Sequence, residues 1–329
     1  PMSPSVKGFG RHRWRIVLIL SVLVVVLVSG WLIWRNLTRT VIPFGQVLGE
    51  VAFIQRNTNW DIAILSADGF YTVTDGDAWD DYFASFDFRG ERINFLSLRA
   101  GELGPTQVQP DRSGLRTLGV VDAVTTMVFE GRFDWDASWS PDGTKLLWSS
   151  LRDLNLELYV ADNQPNAAPL RLTNHPARDW FASWSPDGTR IAFASDRAGN
   201  EDIYVMDADG ANLRQLTNHP ANDIFPVWSL DGETLLFVSE RDTPLGNGSL
   251  TLYLLDPDAD SPTPAALGQT RFEGDPTYSP DGREVVFMSN RDGDWSLYSM
   301  DADGGNLRRL TDTTTDELFP VWRPAMNTD

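Results

Sequence analysis

The sequence predicts an all-β fold: a six-bladed β-propeller of four-stranded antiparallel blades, with one transmembrane helix ahead of it. Three observations carry this prediction. An aromatic residue followed by a tight turn recurs about every 45 residues, a spacing typical of propeller blades. A short apolar pattern that suits a buried strand occurs six times. Near the amino terminus, one uncharged apolar stretch is about as long as a helix that crosses a bilayer.

The apolar stretch occupies residues 16–34 and contains no charged side chain. Four basic residues precede it and two closely follow it, so the positive-inside rule predicts a cytoplasmic amino terminus. We therefore predict a basic cytoplasmic tail over 1–15, a signal-anchor helix over 16–34 and a linker over 35–48. The rest of the chain is then expected on the extracytoplasmic, periplasmic side of the bacterial cytoplasmic membrane. A cleaved signal peptide is the alternative, because the small residues at 28–30 suit a cleavage site.

One segment of the repeat shows how a blade is built. Residues 180–185 predict the inner strand, and a Pro-Asp-Gly turn at 186–188 follows, in which proline presets φ and glycine accepts a positive φ. Residues 190–195, 203–206 and 213–217 predict the second, third and outer strands. Because neighbouring blades cover both faces of each sheet, we expect the inner strands to be apolar on both sides.

The repeat also predicts how the ring closes. The aromatic-turn motif occurs at residues 86–90, 139–143, 184–188, 228–232, 278–282 and, truncated, 322–324. The second-strand pattern occurs at residues 51–53, 93–95, 146–148, 191–193, 235–237 and 285–287. The first second-strand pattern has no inner strand before it, and the last aromatic motif has no second strand after it. We therefore predict that the carboxyl-terminal strand completes the first blade, giving a propeller over 49–324 and a tail over 325–329.

Composition limits the classes of partner. The chain has 46 acidic and 27 basic residues and no cysteine. Residues 1–49 hold six basic residues and no acidic one, so the predicted propeller is more acidic than the chain as a whole. Such a domain repels nucleic acid and anionic lipid, and we expect no nucleic-acid partner. The absence of cysteine excludes disulfides, thiolate nucleophiles and zinc sites of the cysteine type.

Three stretches of the best repeat carry a family resemblance. Residues 184–197 read Trp-Ser-Pro-Asp-Gly-Thr-Arg-Ile-Ala-Phe-Ala-Ser-Asp-Arg, residues 203–210 read Ile-Tyr-Val-Met-Asp-Ala-Asp-Gly, and Leu-Thr follows at 216–217. This pattern resembles the WD40-like repeat of the TolB family of bacterial β-propellers, from about residue 50 to residue 323. TolB has a separate α/β domain before its propeller, whereas about 15 residues separate the predicted helix from the first blade here. The resemblance therefore implies a membrane-anchored relative rather than TolB itself.

An acidic residue stands five positions before the inner aromatic residue of each blade. The six are Asp81, Asp134, Asp179, Asp223, Glu273 and Glu317. In a propeller these positions ring one mouth of the central channel. The loops that follow the second strands reach the same face and begin at Arg56, Arg99, Arg152, Arg197, Arg241 and Arg291. On the structural interpretation, each acid bonds the serine or arginine of its own blade and holds the strand ends together. On the functional one, the six acids with Arg197, Arg241 and Arg291 bind a basic partner segment or a cation such as calcium.

Other chemistry is sparse. His175 and His219 occupy equivalent places in a repeated Leu-Thr-Asn-His-Pro-Ala, which favours a shared loop role over a metal site. An insertion over residues 242–249 lengthens a loop on the face of the acids, and insertions often lie on the binding face of a repeat protein. The sequence contains no Gly-x-Ser-x-Gly elbow and no catalytic cluster that breaks the repeat. We therefore predict that the protein is not an enzyme and uses no cofactor, with calcium the one open possibility.

These observations favour a membrane-tethered, extracytoplasmic scaffold that binds a protein or peptide at the propeller funnel. An extracytoplasmic carbohydrate-active enzyme or carbohydrate-binding module that uses the acidic mouth is the alternative. A ligand sensor that signals through the helix is a third hypothesis, for which the 15 residues before the helix leave little room for an output domain.

Overall fold

The computed structural model describes residues 50–323 apart from 57–58, 67–68, 75–79, 87–88, 100–101, 115, 118–133, 165–166, 243–249, 268–272 and 314. The described residues form six four-stranded antiparallel sheets, which we call blades 1 to 6 in chain order. Each blade packs against the next, and the inner strand of blade 6 packs against blade 1, so the sheets follow one another around a ring.

The strands of the first three blades are β1 (Val51–Arg56), β2 (Trp60–Ser66), β3 (Gly69–Thr72), β4 (Asp80–Phe86), β5 (Ile93–Arg99), β6 (Glu102–Val108), β7 (Arg116–Thr117), β8 (Asp134–Trp139), β9 (Lys145–Ser150), β10 (Glu157–Asp162) and β11 (Leu170–Arg171). Those of the last three are β12 (Asp179–Trp184), β13 (Arg190–Ser195), β14 (Asp202–Asp207), β15 (Arg214–Gln215), β16 (Asp223–Trp228), β17 (Leu235–Ser239), β18 (Thr251–Leu255), β19 (Ala265–Ala266), β20 (Glu273–Tyr278), β21 (Glu284–Ser289), β22 (Ser296–Asp301) and β23 (Arg308–Arg309). The final strand, β24 (Glu317–Trp322), joins blade 1, whose order is β24, β1, β2, β3.

Blade 1 closes without a covalent turn between its first two strands. In blade 4 the Ser185 N–H donates to the Arg190 carbonyl at 2.9 Å, and in blade 1 the Arg323 N–H donates to the Glu50 carbonyl at 2.7 Å. The side chains of Arg323 and Glu50 also form an ion pair at 2.6 Å. Arg323 Nε donates to the Gly90 carbonyl of blade 2 at 2.6 Å. A charge pair between the two ends of the propeller thus takes the place of the Ser-Pro-Asp-Gly turn.

The core lies between the blades and is centred on the second strands. The aromatic residues at matching second-strand positions are fully buried; they are Phe53, Phe95, Trp148, Phe193, Phe237 and Phe287. The inner strands differ, because three of the six residues in each of β12, β16 and β24 are only partly buried. The partly buried positions of β16 and β24 are nevertheless all apolar, as expected; they are Ile224, Phe225, Val227, Leu318, Phe319 and Val321.

The membrane part of the predicted fold class is corrected. No helix in the described part of the chain is long and apolar enough to cross a membrane. Residues 16–34, on which the prediction rested, lie outside the described residues, together with 1–15 and 35–48. The described part of the chain forms an all-β propeller. The prediction of a single-pass location in the bacterial cytoplasmic membrane is corrected together with the helix.

Candidate functional site

The mouth of the channel is the end at which the inner strands begin, and blade 4 shows its construction. Asp179 begins β12 and lies opposite Ser195, the last residue of β13. Arg197 Nη2 donates to both oxygens of the fully buried Asp179 carboxylate, at 2.8 and 2.7 Å, and Arg197 Nε donates to Ser195 Oγ at 3.0 Å. Burial raises the pKa of Asp179, while hydrogen bonds from Ser195 and Arg197 act in the opposite direction. This acid holds the strand ends of blade 4 together, as the structural interpretation predicts.

Blade 5 repeats the arrangement. Asp223 begins β16, is fully buried and lies opposite Ser239. Arg241 Nη2 donates to Asp223 Oδ2 at 2.6 Å, and Arg241 Nε donates to Ser239 Oγ at 3.0 Å. A calcium ion needs several converging oxygens that it can reach, and the carboxylates of Asp179 and Asp223 are both buried behind their own arginines.

Glu317, at the start of β24, departs from this pattern. It lies opposite Gln55, where blades 4 and 5 have a serine, and Arg56 stands one residue too early to take the place of Arg197. The fully buried carboxyl group of Glu317 accepts hydrogen bonds from the hydroxyl groups of Thr311, at 3.0 Å, and Thr313. Burial raises the pKa of Glu317 to about 8. At neutral pH this member of the ring is therefore mostly protonated, and the six acids are not chemically equivalent.

The other predicted site residues reach the same mouth through their register. Asp81 is fully buried and lies opposite a serine of β5. Asp134 and Glu273 begin β8 and β20, each opposite the serine that ends the second strand, and their side chains lie outside the description. Arg291 Nε donates to the serine at the end of β21 at 3.1 Å. Binding by these residues stays a prediction.

In the loops of blades 3, 5 and 6, an arginine and the aspartate after it contact the same tyrosine, the arginine over the ring and the aspartate at the hydroxyl group. In blade 3, Arg152 lies over the ring of Tyr159 with its Cζ 4.5 Å from the centroid, whereas the next residue, Asp153, accepts a hydrogen bond from the Tyr159 hydroxyl. The Asp153 side chain remains 48% exposed. Blades 5 and 6 repeat this with Arg241, Asp242 and Tyr253, and with Arg291, Asp292 and Tyr298. The guanidinium groups are therefore inside the blades, and exposed carboxylates form the rim of the mouth.

The two repeated histidines have a shared loop role, as the sequence predicts. His175 Nδ1 accepts the N–H of Ala177 at 3.1 Å, and His219 Nδ1 accepts the N–H of Ala221 at 3.1 Å. Within the described residues, no group of three or more His, Cys, Asp or Glu side chains is placed to hold a metal ion.

Sequence reasoning missed a set of aromatic side chains at the channel. Phe181, Phe225 and Phe319 are the third residues of β12, β16 and β24, and their φ values are 52°, 54° and 55°. A positive φ is costly for a bulky residue, and each of these residues lies at a β-bulge, where a side chain can be redirected. All three are only partly buried, and the ring centroids of Phe181 and Phe225 are 4.0 Å apart. We call these three residues the aromatic collar. The sequence signal that could have revealed them is a phenylalanine two residues after the acid at the start of the inner strand.

The comparisons with known proteins decide the family. The model of the TolB beta propeller domain matches residues 124–326, more than half of the chain. The chain belongs to this family. The TolB-type propeller is also evident in the fold, since TolB from Acinetobacter baumannii is similar with a TM-score of 0.66 at 20% identity, over 85% of this chain and 68% of that chain.

Two curated relatives match shorter segments of this TolB-type propeller. An uncharacterized protein of Agrobacterium fabrum is 35% identical over 74 residues, which are 22% of this chain and 25% of that protein. The uncharacterized peptidase YuxL of Bacillus subtilis is 47% identical over 51 residues, which are 15% of this chain and 8% of that protein. The matched segments thus cover a quarter or less of either relative.

These matches correct the prediction that the protein is not an enzyme. YuxL is described as a peptidase, and a puromycin-hydrolyzing peptidase of Mycobacterium tuberculosis shares the fold with a TM-score of 0.54 at 15% identity, over 79% of this chain and 45% of that chain. The TolB-type propeller of this chain is therefore related to proteins that include peptidases. The similarity is partial, and at this level of identity the structural match shows the fold alone.

Proposed function

We propose that this TolB-type propeller is a scaffold that binds a protein or peptide segment at the mouth of its channel. The observation that carries the proposal is the aromatic collar of Phe181, Phe225 and Phe319, three large apolar side chains that are partly exposed on strained backbone. Backbone strain and apolar exposure both oppose folding, and their coincidence is typical of binding sites.

The rest of the mouth suits this role. The buried pairs of Asp179 with Arg197 and of Asp223 with Arg241 fix the starts of the strands that carry Phe181 and Phe225. Rigid aromatic side chains give contact area at a low cost in conformational entropy, so a collar on fixed strands favours affinity. The carbohydrate alternative lacks this support, because the carboxylates of Asp179 and Asp223 are buried and ion-paired rather than open to a sugar.

Selection of phage-displayed random peptides against the full chain tests the proposal. Peptides that bind are then titrated calorimetrically against the wild type and against the double variant Phe181→Ala and Phe225→Ala. We expect binding to weaken about a hundredfold or more in the double variant, because two aromatic contacts are lost. The matched control is Leu307→Ala, since Leu307 is 49% exposed but lies just before β23 at the outer edge of blade 6.

Two outcomes contradict the proposal. One is selection of no peptide above background. The other is equal affinity of the selected peptides for the wild type and the double variant, with both proteins giving the same melting temperature. Repeating the titrations with and without calcium tests the predicted cation separately, and an unchanged affinity and melting temperature would exclude it.

A further inference from the structure

Two fully buried acids meet at the boundary between blades 4 and 5. Asp202 begins β14 and Asp223 begins β16. The Asp223 N–H donates to the carbonyl of the residue before Asp202 at 2.7 Å, so the two acids are adjacent at the mouth. Arg241 donates to Asp223 at 2.6 Å. Asp202 is bonded instead by neutral groups, among them the Gln215 amide at 3.1 Å and the Thr217 hydroxyl at 3.3 Å.

The boundary between blades 3 and 4 has the same architecture with balanced charges. Its two buried acids are Glu157 and Asp179, and the Asp179 N–H donates to the carbonyl of the residue before Glu157 at 2.9 Å. Arg171 donates to Glu157 at 2.7 Å, and Arg197 donates to Asp179 at 2.7 Å. Gln215 of β15 occupies the position of Arg171 in β11, since each lies opposite the tyrosine of its third strand. Between blades 4 and 5, a neutral glutamine thus replaces one of the two arginines.

One oxygen at the boundary between blades 4 and 5 lacks a donor. Asp223 Oδ1 is buried and accepts no hydrogen bond from any residue that the structure describes. Both oxygens of Asp179 in blade 4, by contrast, accept hydrogen bonds from Arg197. A buried acceptor without a donor is destabilising, and two adjacent buried carboxylates disfavour the ionisation of both. A proton on one of the two carboxyl groups removes a negative charge and supplies a donor.

The charged groups around the two acids have partners of their own. Arg197 is bonded to the acid of its own blade, and Glu201 is paired with Arg178 at 3.0 Å. His219 donates its backbone N–H to Asp202 at 3.3 Å, and its ring accepts a backbone N–H through Nδ1. The other titratable groups that interact with these residues are Tyr204, Glu240 and Tyr253.

We infer that the Asp202 and Asp223 carboxyl groups hold one proton between them in the folded protein, and that release of this proton weakens binding at the aromatic collar. Asp223 begins the strand that carries Phe225, and Phe225 packs on Phe181 with the ring centroids 4.0 Å apart. Repulsion between the two carboxylates therefore acts on the collar through one short strand. The inference rests on the proposed function, because it names a regulation of the same site.

The direction of the pH dependence follows from the burial of the pair. Burial and the charge of Asp223 raise the pKa of Asp202, against hydrogen bonding by His219. Above the ordinary aspartate value of 3.8, the folded state therefore binds more protons than the unfolded state. The stabilisation is fully present below pH 3.8 and is lost as the pH rises through the raised value.

Three variants of the full chain test the inference. Gln215→Arg gives the boundary between blades 4 and 5 the arginine of its neighbour, and Asp202→Asn imitates the protonated acid. Arg171→Gln is the reciprocal change, which leaves the boundary between blades 3 and 4 with two acids and one arginine. His175 and His219 make the same backbone contact at the two boundaries, so ionisation of a histidine does not distinguish them.

Urea unfolding between pH 5 and 9 measures the shared proton. We expect the urea midpoint of the wild type to fall with rising pH, less steeply in Gln215→Arg and Asp202→Asn, and more steeply in Arg171→Gln. Equal pH profiles in the wild type, Gln215→Arg and Asp202→Asn overturn the inference. It is also overturned if calcium raises the midpoint of the wild type but not that of Asp202→Asn, because the pair then holds a metal ion.

Calorimetric titration with the phage-selected peptides measures the regulation of the collar. Peptides with blocked termini and no titratable side chain are used, so that pH acts on the protein alone. Their affinity for the wild type should fall with rising pH, by at most about tenfold per pH unit because one proton is linked to binding. Their affinity for Gln215→Arg should stay constant.

The failures of the two proposals are distinguishable. A parallel fall of affinity in the wild type and Gln215→Arg overturns the regulation. If the collar variant Phe181→Ala with Phe225→Ala then still loses its peptides, the proposed function stands without this regulation. If the collar variant keeps them, the proposed function fails, and the regulation of the collar fails with it.

Discussion

Arg197 and Asp179 are joined by two hydrogen bonds from one guanidinium nitrogen, at 2.8 and 2.7 Å, across the ends of two adjacent strands. The carboxylate is fully buried, and the arginine side chain is 14% exposed. The same arginine stacks over Tyr204 of the third strand, with its Cζ 4.9 Å from the ring centroid. One side chain therefore ties together the first three strands of blade 4 at the mouth.

Replacing Arg197 by glutamine should destabilise the propeller by about 3 kcal/mol, because a buried carboxylate is left without its cation. The control is Lys145→Gln. Lys145 is 46% exposed and pairs with Asp162, itself 55% exposed, so its loss should cost less than about 1 kcal/mol. Urea unfolding followed by tryptophan fluorescence measures both values. Equal effects of the two substitutions would show that the buried pair contributes no more to the free energy of unfolding than the surface pair.

Tyr159 and Tyr204 occupy the same position in neighbouring blades but differ in their partners. The Tyr159 hydroxyl donates to Asp153, whereas Ala198 stands at the corresponding position of the blade 4 loop. Tyr159→Phe should therefore lower the free energy of unfolding by about 2 kcal/mol, the usual contribution of a hydrogen bond to a charged group, and Tyr204→Phe should lower it less.

Burial raises the pKa of Tyr159, Tyr253 and Tyr298. An absorbance titration should find these tyrosines ionising only on unfolding; ionisation in the folded protein near the ordinary pKa would contradict the geometry.

Glu317 should make the propeller less stable as the pH rises. Its folded pKa is about 8, above the ordinary value of 4.5, so between these values the folded state binds more protons than the unfolded state. The contribution of Glu317 to the free energy of unfolding is fully present below pH 4.5 and is lost as the pH rises through about 8. The slope is at most about 1.4 kcal/mol per pH unit. Glu317→Gln should flatten this dependence in urea unfolding between pH 5 and 9. Asp187 should depend on pH in the opposite sense, because hydrogen bonding by Ser185 lowers its pKa. An unchanged pH profile in Glu317→Gln would refute the assignment.

The repeat made the pairing at the mouth predictable, and the exceptions to the repeat were harder to predict. Asp179 and Arg197 could be matched from sequence because the turn at 186–188 fixes the register of two strands. The buried, protonated state of Glu317 could not, since it depends on the burial of a carboxyl group in a blade that is assembled from both ends of the propeller. The positive φ of Phe181 depends on a bulge, and an apolar residue in a strand gives no sign of one.

The Arg323–Glu50 pair should control how firmly the ring is closed. It joins the residue after β24 to the residue before β1, at 2.6 Å, and both side chains are less than a third exposed. Arg323→Ala removes this pair and the hydrogen bond to the Gly90 carbonyl, so the free energy of unfolding should fall by about 2 kcal/mol. The effect should shrink at high salt, because the pair is partly screened.

Hydrogen exchange locates the effect of opening this contact. The amides of β24 and β1 should exchange faster in Arg323→Ala, while those of β13 and β14, which are joined by a covalent turn, should keep their protection. The double variant with Glu50→Arg and Arg323→Glu restores opposite charges and should recover part of the lost protection in β24. Uniform acceleration across all blades would mean that the ring opens as one unit, and that closure by this pair is not a separate step.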